Sequence, residues 1–134
     1  MRVPASIGTV IAIALAIWVA FQEWNAEPIS GAIHVIDGDT VEIDGTRYRA
    51  VNYDTPEFEP LARCDAEIEW ARRATTRLRE LSRQGLRVEP AGRRGGHNRP
   101  LAHFILEDGT DVADIMVGEG FAVYWGNGTP DWCR

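Results

Sequence analysis

The sequence predicts a mainly β domain with helices packed on it, and three observations carry that reading. Short apolar runs, AIHVI and VEI among them, alternate with turn signals along much of the chain. One longer stretch, Asp65–Gln84, instead carries apolar residues at helical spacing. The order is strands, helix, strands, short helix and strand-like tail, with no repeat or low-complexity block. A chain of 134 residues holds one domain with a modest core.

Each element has a local cause. Gly31–Ile43 reads as a strand interrupted by the turn DGDT, Asp37–Thr40, and Asp44-Gly45 is a hairpin signal. Thr46–Tyr53 returns as a second strand with Arg49, Val51 and Tyr53 on one face. Pro56 and Pro60 mark a loop. In the predicted helix, Ala66, Trp70, Ala74, Leu78 and Leu81 form the apolar stripe, and Gly85 stops it. Leu86–Glu89 is a short strand, AGRRGGHNR a Gly/Arg loop, and Leu101–Leu106 the next strand. Glu107-Asp108-Gly109 makes a turn. Asp111 caps a short helix that carries Val112, Ile115 and Met116 inward. Phe121–Trp125 is a last extended segment. Short antiparallel strands with a helix packed between them suit a small, partly open barrel of the OB type.

Residues 1–22 stand apart as a membrane anchor or signal peptide, 23–30 as a linker, and 31–134 as the folded domain. The 19 residues from Val3 to Phe21 lack charge, near the ~20 that cross a bilayer as a helix. No small-x-small cleavage site follows in AFQEWNAEP, so an uncleaved anchor is favoured over secretion after cleavage. Arg2 and the free amine favour a cytoplasmic N-terminus, which puts the domain on the periplasmic or extracellular face. Export makes Cys64 and Cys133 informative, because an even count in an oxidising compartment suggests one disulfide. There is no CxxC or Cys/His zinc pattern. All 14 basic residues are Arg and the net charge is −6. That balance argues against a general polyanion binder, so a nucleic-acid site needs a local Arg cluster or a bound cation.

Asp39, Asp54 and Glu57 place three carboxylates at strand ends. Oxygen ligands of this kind suit a hard cation such as calcium or magnesium. Arg49 and Arg99 accompany them, and a planar guanidinium holds phosphate oxygens through paired hydrogen bonds. A metal, a carboxylate base and two arginines are the parts that phosphodiester hydrolysis requires. Asp37 reads as a turn brace, His97 as a loop residue, His103 as a half-buried strand residue and Trp70 as core. Arg93 and Arg94 read equally as a nucleic-acid contact or a solvated loop. The arginines of the helix, with Glu67, Glu69 and Glu80, read as a solvated face.

These motifs resemble the staphylococcal-type, thermonuclease-like nucleases. The resemblance rests on VIDGDTVEI, RAVNYDTPE, RPLAHFILEDG and DVADIMVGEGFA, and spans about residues 30–125. It implies a five-stranded OB-fold barrel with two helices, preceded by the N-terminal hydrophobic helix. It also implies a monomeric calcium-dependent nuclease that cleaves DNA and RNA with little sequence preference, leaving 3′-phosphate and 5′-hydroxyl ends. By the same resemblance, Asp39, Asp54 and the Thr55 carbonyl hold one calcium ion, and Glu57 activates the attacking water. Arg49 and Arg99 bind the phosphate. The chain departs from the pattern in three places. Gly95-Gly96-His97-Asn98 replaces an acidic and aromatic run before Arg99, and Asn52 stands at a usually apolar strand position. PDWC, with Cys133 reaching back to Cys64, stands where longer relatives have a third helix.

Overall fold

The computed structural model describes residues 7–24 and 27–134. In chain order the elements are α1 (Ile7–Trp24), β1 (His34–Asp37), β2 (Thr40–Ile43), β3 (Thr46–Ala50), β4 (Tyr53–Asp54) and α2 (Asp65–Ser82). They continue with β5 (Leu86–Arg94), a single 3₁₀ turn at Gly96–Asn98, β6 (Pro100–Leu106), α3 (Val112–Gly118) and β7 (Val123–Tyr124). Five strands form one mixed sheet in the order β1-β2-β3-β6-β5, while β4 and β7 pair separately.

The sheet is open: among the described residues no strand pairing joins β1 to β5. The expected barrel is therefore not closed by a ladder. The approach is nevertheless close, since the N–H of Ile29 donates to the carbonyl of Val88 at 2.8 Å. β1 has only four residues and carries an irregular register between Val35 and Asp37. So short a strand leaves little backbone for a second ladder. The sheet is also not wholly antiparallel, because β3 and β6 run parallel through Arg49–Leu101 and Ala50–Ala102.

Turn chemistry explains the hairpins. Asp44 and Gly45 have φ of 49° and 77°, the left-handed pair a two-residue hairpin needs. The Gly/Arg loop is shorter than predicted, because β5 extends to Arg94 and pairs with β6 as far as Pro100. Pro90 and Gly92 disguise that extension in the sequence: one lacks a ladder donor and the other has a φ of 70°. The second strand breaks where a continuous run was predicted. It stops at Ala50 and resumes at Tyr53, and Asn52 in the gap donates through Nδ2 to Asp111 Oδ2 at 2.8 Å.

The core lies between this sheet, α2 and α3. Its largest fully buried side chains include Tyr53, Phe104, Ile43, Leu78, Leu81 and Met116, with Tyr53 and Phe104 meeting edge to face at 6.3 Å. Truncating Leu78 to Ala is expected to cost about 2–5 kcal/mol. In α2 the inward face is Glu67, Ala71, Ala74, Thr75, Leu78 and Leu81. Trp70, predicted as core, is half-buried and meets Phe121 and Trp132 in a small aromatic cluster outside it. Asp111 caps α3 as predicted, its side chain accepting from the Ala113 N–H. Among the described residues no helix is long and apolar enough to cross a membrane. The 18 residues of α1 reach roughly 27 Å at helical rise.

Candidate functional site

The turn between β1 and β2 is built to hold Asp39 in place. Asp37 Oδ1 accepts from the Asp39 N–H at 3.1 Å, so Asp37 braces the turn as predicted. The buried Tyr53 hydroxyl donates to the Gly38 carbonyl at 2.9 Å. On the other side the turn lies against α2. A Cβ at Gly38 would stand 2.8 Å from the Ala74 Cβ, so this position takes only glycine. Asp39 itself is 5% exposed.

Strand register then brings Arg49 to Asp39. Thr40 lies opposite Arg49 in the β2–β3 ladder, and the Ala50 N–H donates to the Asp39 carbonyl. The Arg49 Nη2 donates to Asp39 Oδ2 at 3.0 Å and to Asp54 Oδ1 at 2.5 Å. One guanidinium nitrogen thus joins the acids of the two sequence motifs. The second oxygen of Asp39 accepts from the Thr40 hydroxyl. Asp54 is delivered by the short β4, whose partner is Val123 of β7.

These groups open onto a cleft of about 610 Å³. Asp39, Arg49, Asp54, Glu57 and Arg99 all line it, so five of the six residues predicted for catalysis or metal binding meet in one place. Thr55, assigned through its carbonyl, is 5% exposed and does not line the cleft. Arg99 lies between the tight Gly96–Asn98 turn, where His97 and Asn98 have φ of 58° and 55°, and the start of β6. Its Nε is buried without a hydrogen-bond partner, an unsatisfied charged donor of the kind an anion relieves. Arg93 and Arg94 are exposed and border the same cleft, and Arg94 Nη1 braces the turn through the Asn98 carbonyl at 2.7 Å.

The electrostatics follow from acids crowded in a half-buried space. Burial, with the neighbouring Asp39 charge, pushes the Asp37 carboxyl up to about 7. Burial raises Asp54 and Glu57 as well, reinforced by the other acids and opposed by Arg49. For Arg49, burial acts against the charge, but Asp39 and Asp54 outweigh it and hold the guanidinium protonated. The donor set is oxygen throughout, and Asp39 and Asp54 already share one cationic nitrogen. In chemistry these residues fit a hard cation. Among the described residues no three His, Cys, Asp or Glu side chains form a ready-made ligand cluster.

Three contributors escaped the sequence reading. Tyr53 was placed on a strand face, but its hydroxyl is what ties β4 to the DGDT turn. Trp125 is 60% exposed, lines the cleft, and lies under the Arg49 guanidinium at 4.9 Å from the ring centre. Its backbone N–H donates to the Asn52 carbonyl; the aromatic pair Tyr124-Trp125 is the available signal. Glu67, predicted on a solvated face, is 3% exposed. It accepts from the N–H of Arg63 at 2.9 Å, the N–H of Glu57 at 3.4 Å and Arg63 Nε at 3.2 Å.

The predicted disulfide joins Cys64 and Cys133, with Cα atoms 6.0 Å apart. It fastens the C-terminal tail to the start of α2. Arg63 Nη2 adds a bond to the Pro130 carbonyl. Set against known proteins, the chain matches no family model and no curated sequence.

Proposed function

We propose that the domain is a calcium-dependent nuclease that hydrolyses DNA and RNA with little sequence preference. The observation that carries this reading is the single cleft lined by Asp39, Arg49, Asp54, Glu57 and Arg99. Asp39, Asp54 and the Thr55 carbonyl are the residues that would hold one calcium ion, which supplies positive charge to the phosphate and a polarised water. Arg49 and Arg99 bind the phosphate oxygens and offset the charge that grows on them. Glu57 takes a proton as water oxygen bonds to phosphorus. The bond from phosphorus to the 5′ oxygen breaks, and that oxygen leaves with a proton from solvent. A 3′-phosphate and a 5′-hydroxyl remain. Burial and acidic neighbours hold Glu57 above the usual carboxylate range, toward the proton affinity a base needs.

The sheet order and the Ile29–Val88 bond support reading the domain as a thermonuclease-like OB barrel left ajar. Export is supported by the Cys64–Cys133 disulfide. A membrane anchor in residues 1–22 is supported by the exposed Val10, Ile11, Ile13, Leu15 and Ile17 of α1. The domain works as a monomer on the outer face of the membrane in this reading.

The test is cleavage of DNA and RNA by the purified protein with calcium and with chelator. Calcium-dependent product is expected, with Glu57→Ala and Arg49→Ala at least about a hundredfold slower. Wild-type cleavage no faster than these variants, or indifferent to chelator, would sink the proposal. A second reading keeps the cleft but not the turnover, as an envelope module that binds single strands or a protein partner. It is favoured by the engagement of Arg49 with both carboxylates and by the exposed Trp125. Binding without product, unaffected by calcium, would select it.

A further inference from the structure

We propose that Glu67 is a positioning residue that fixes Glu57 relative to Asp39, an inference that rests on the nuclease reading above. Glu67 lies on α2 and does not line the cleft, so it acts through another group.

A carboxylate covered this closely is costly unless donors surround it. All donors to its side chain come from the loop that carries Glu57 and leads to α2. Oε1 accepts from Glu57 N–H, and Oε2 accepts from Arg63 N–H and Nε. The two oxygens therefore grip the two ends of the seven-residue span Glu57–Arg63, and Glu57 is one of those ends. Its place in α2 sharpens the point. Cys64 is the N-cap and accepts from the Glu67 N–H, which puts Glu67 three residues into the helix. A glutamate there ordinarily turns back to the cap residue's own N–H. Here the side chain reaches past the cap to the loop.

The helix that carries Glu67 is also the surface against which the Asp39 turn lies, at Gly38 and Ala74. One rigid element thus sets the base on one side and the strand-held acid on the other. Without the Glu67 bonds, the Glu57 N–H loses its acceptor, and the residue is held through its buried chain neighbours Thr55 and Pro56. A displacement of about 1 Å in a reacting group can cost up to a hundredfold in rate.

The experiment compares the full chain with Glu67→Ala and Glu67→Gln in three measurements. These are kcat and KM on single-stranded DNA with calcium, amide hydrogen exchange without substrate, and thermal denaturation. In Glu67→Ala, kcat is expected to fall about 10- to 100-fold with KM changed less than about threefold. The Glu57 and Arg63 amides should exchange about tenfold faster or more, with the Ala71–Leu81 segment of α2 at wild-type rates. Glu67→Gln keeps one acceptor oxygen but sets an NH2 against the donor at the other end, so its kcat should fall between those of wild type and Glu67→Ala. Unchanged loop exchange in Glu67→Ala, or unchanged kcat despite faster exchange, would overturn the inference. So would an equal fall of kcat in both variants accompanied by faster exchange throughout α2, which marks a general scaffold residue. Absence of cleavage by the wild-type protein overturns the nuclease reading instead, and exchange at Glu57 then decides whether the brace exists.

Discussion

Asp39, Arg49 and Asp54 stand on or beside strands, whereas Glu57 stands on a loop with no ladder of its own. The strand side is set by backbone register: Thr40 opposite Arg49, Tyr53 opposite Tyr124, and the Tyr53 hydroxyl on Gly38. The loop side is set by side chains: Glu67 beneath it, and at its far end the Cys64–Cys133 bond. A ladder spreads its hold over many bonds, so one substitution seldom undoes it. A loop whose own N–H groups converge on one carboxylate concentrates that part of its hold in a single residue. The two sides should therefore fail differently.

The sharpest break is on the strand side, where one guanidinium joins two covered acids. Arg49→Ala should slow cleavage by about a hundredfold or more, read from initial rates. It should also destabilise the domain by about 3 kcal/mol, because Asp39 and Asp54 lose their cation while half-buried or buried, read from urea midpoints. Arg47→Ala, two residues along the same strand, removes only an exposed pair with Glu42 and should cost under about 1 kcal/mol.

The loop side has its own largest lever in the disulfide, which closes 69 positions. Reduction, or paired Cys64→Ser and Cys133→Ser, should cost about 4 kcal/mol on chain-entropy grounds. Urea melts with and without reductant measure it. Gly38→Ala tests where the sides meet. A methyl group forced against Ala74 is expected to cost about 1–3 kcal/mol in thermal or chemical denaturation.

One further effect depends on pH. Burial opposes ionisation of Glu67, but the hydrogen bonds from Arg63 and Glu57 prevail and hold its carboxyl below the ordinary value of 4.5. A lowered carboxyl contributes stability that is fully present above that ordinary value and is lost as pH falls through the folded one. Wild type should exceed Glu67→Gln by about 1–2 kcal/mol near neutrality, with the gap closing in acid. Urea midpoints from pH 3 to 7 check it, and a gap that widens in acid would refute it.

What could be read in the sequence follows the same division. Asp44-Gly45, the Asp111 cap and the inward face of α2 near Leu78 are local, so residue type alone revealed them. The meeting of DGDT with YDTPE was legible as chemistry, because acids beside arginines name an anion or a cation. The rest depends on partners distant in sequence. The run of β5 past Glu89 is supplied by β6, against the grain of Pro90 and Gly92. The break at Asn52 is stabilised by Asp111, 59 residues away. Glu67 sits among arginines at helical spacing, and from spacing alone it looks like any exposed ion pair. Only the loop arriving over it reveals a buried carboxylate.

The bond from Ile29 to Val88 bears on force. Ile29 packs against the core, and its N–H is the last backbone tie before β1 begins. If the preceding segment is tethered, tension on it is delivered at the edge of β5. A pull would peel this single bond and its side-chain contact before loading β2, β3 or the acids they carry. Once this bond yields, the next element loaded is β1, which leads into the turn that carries Asp39.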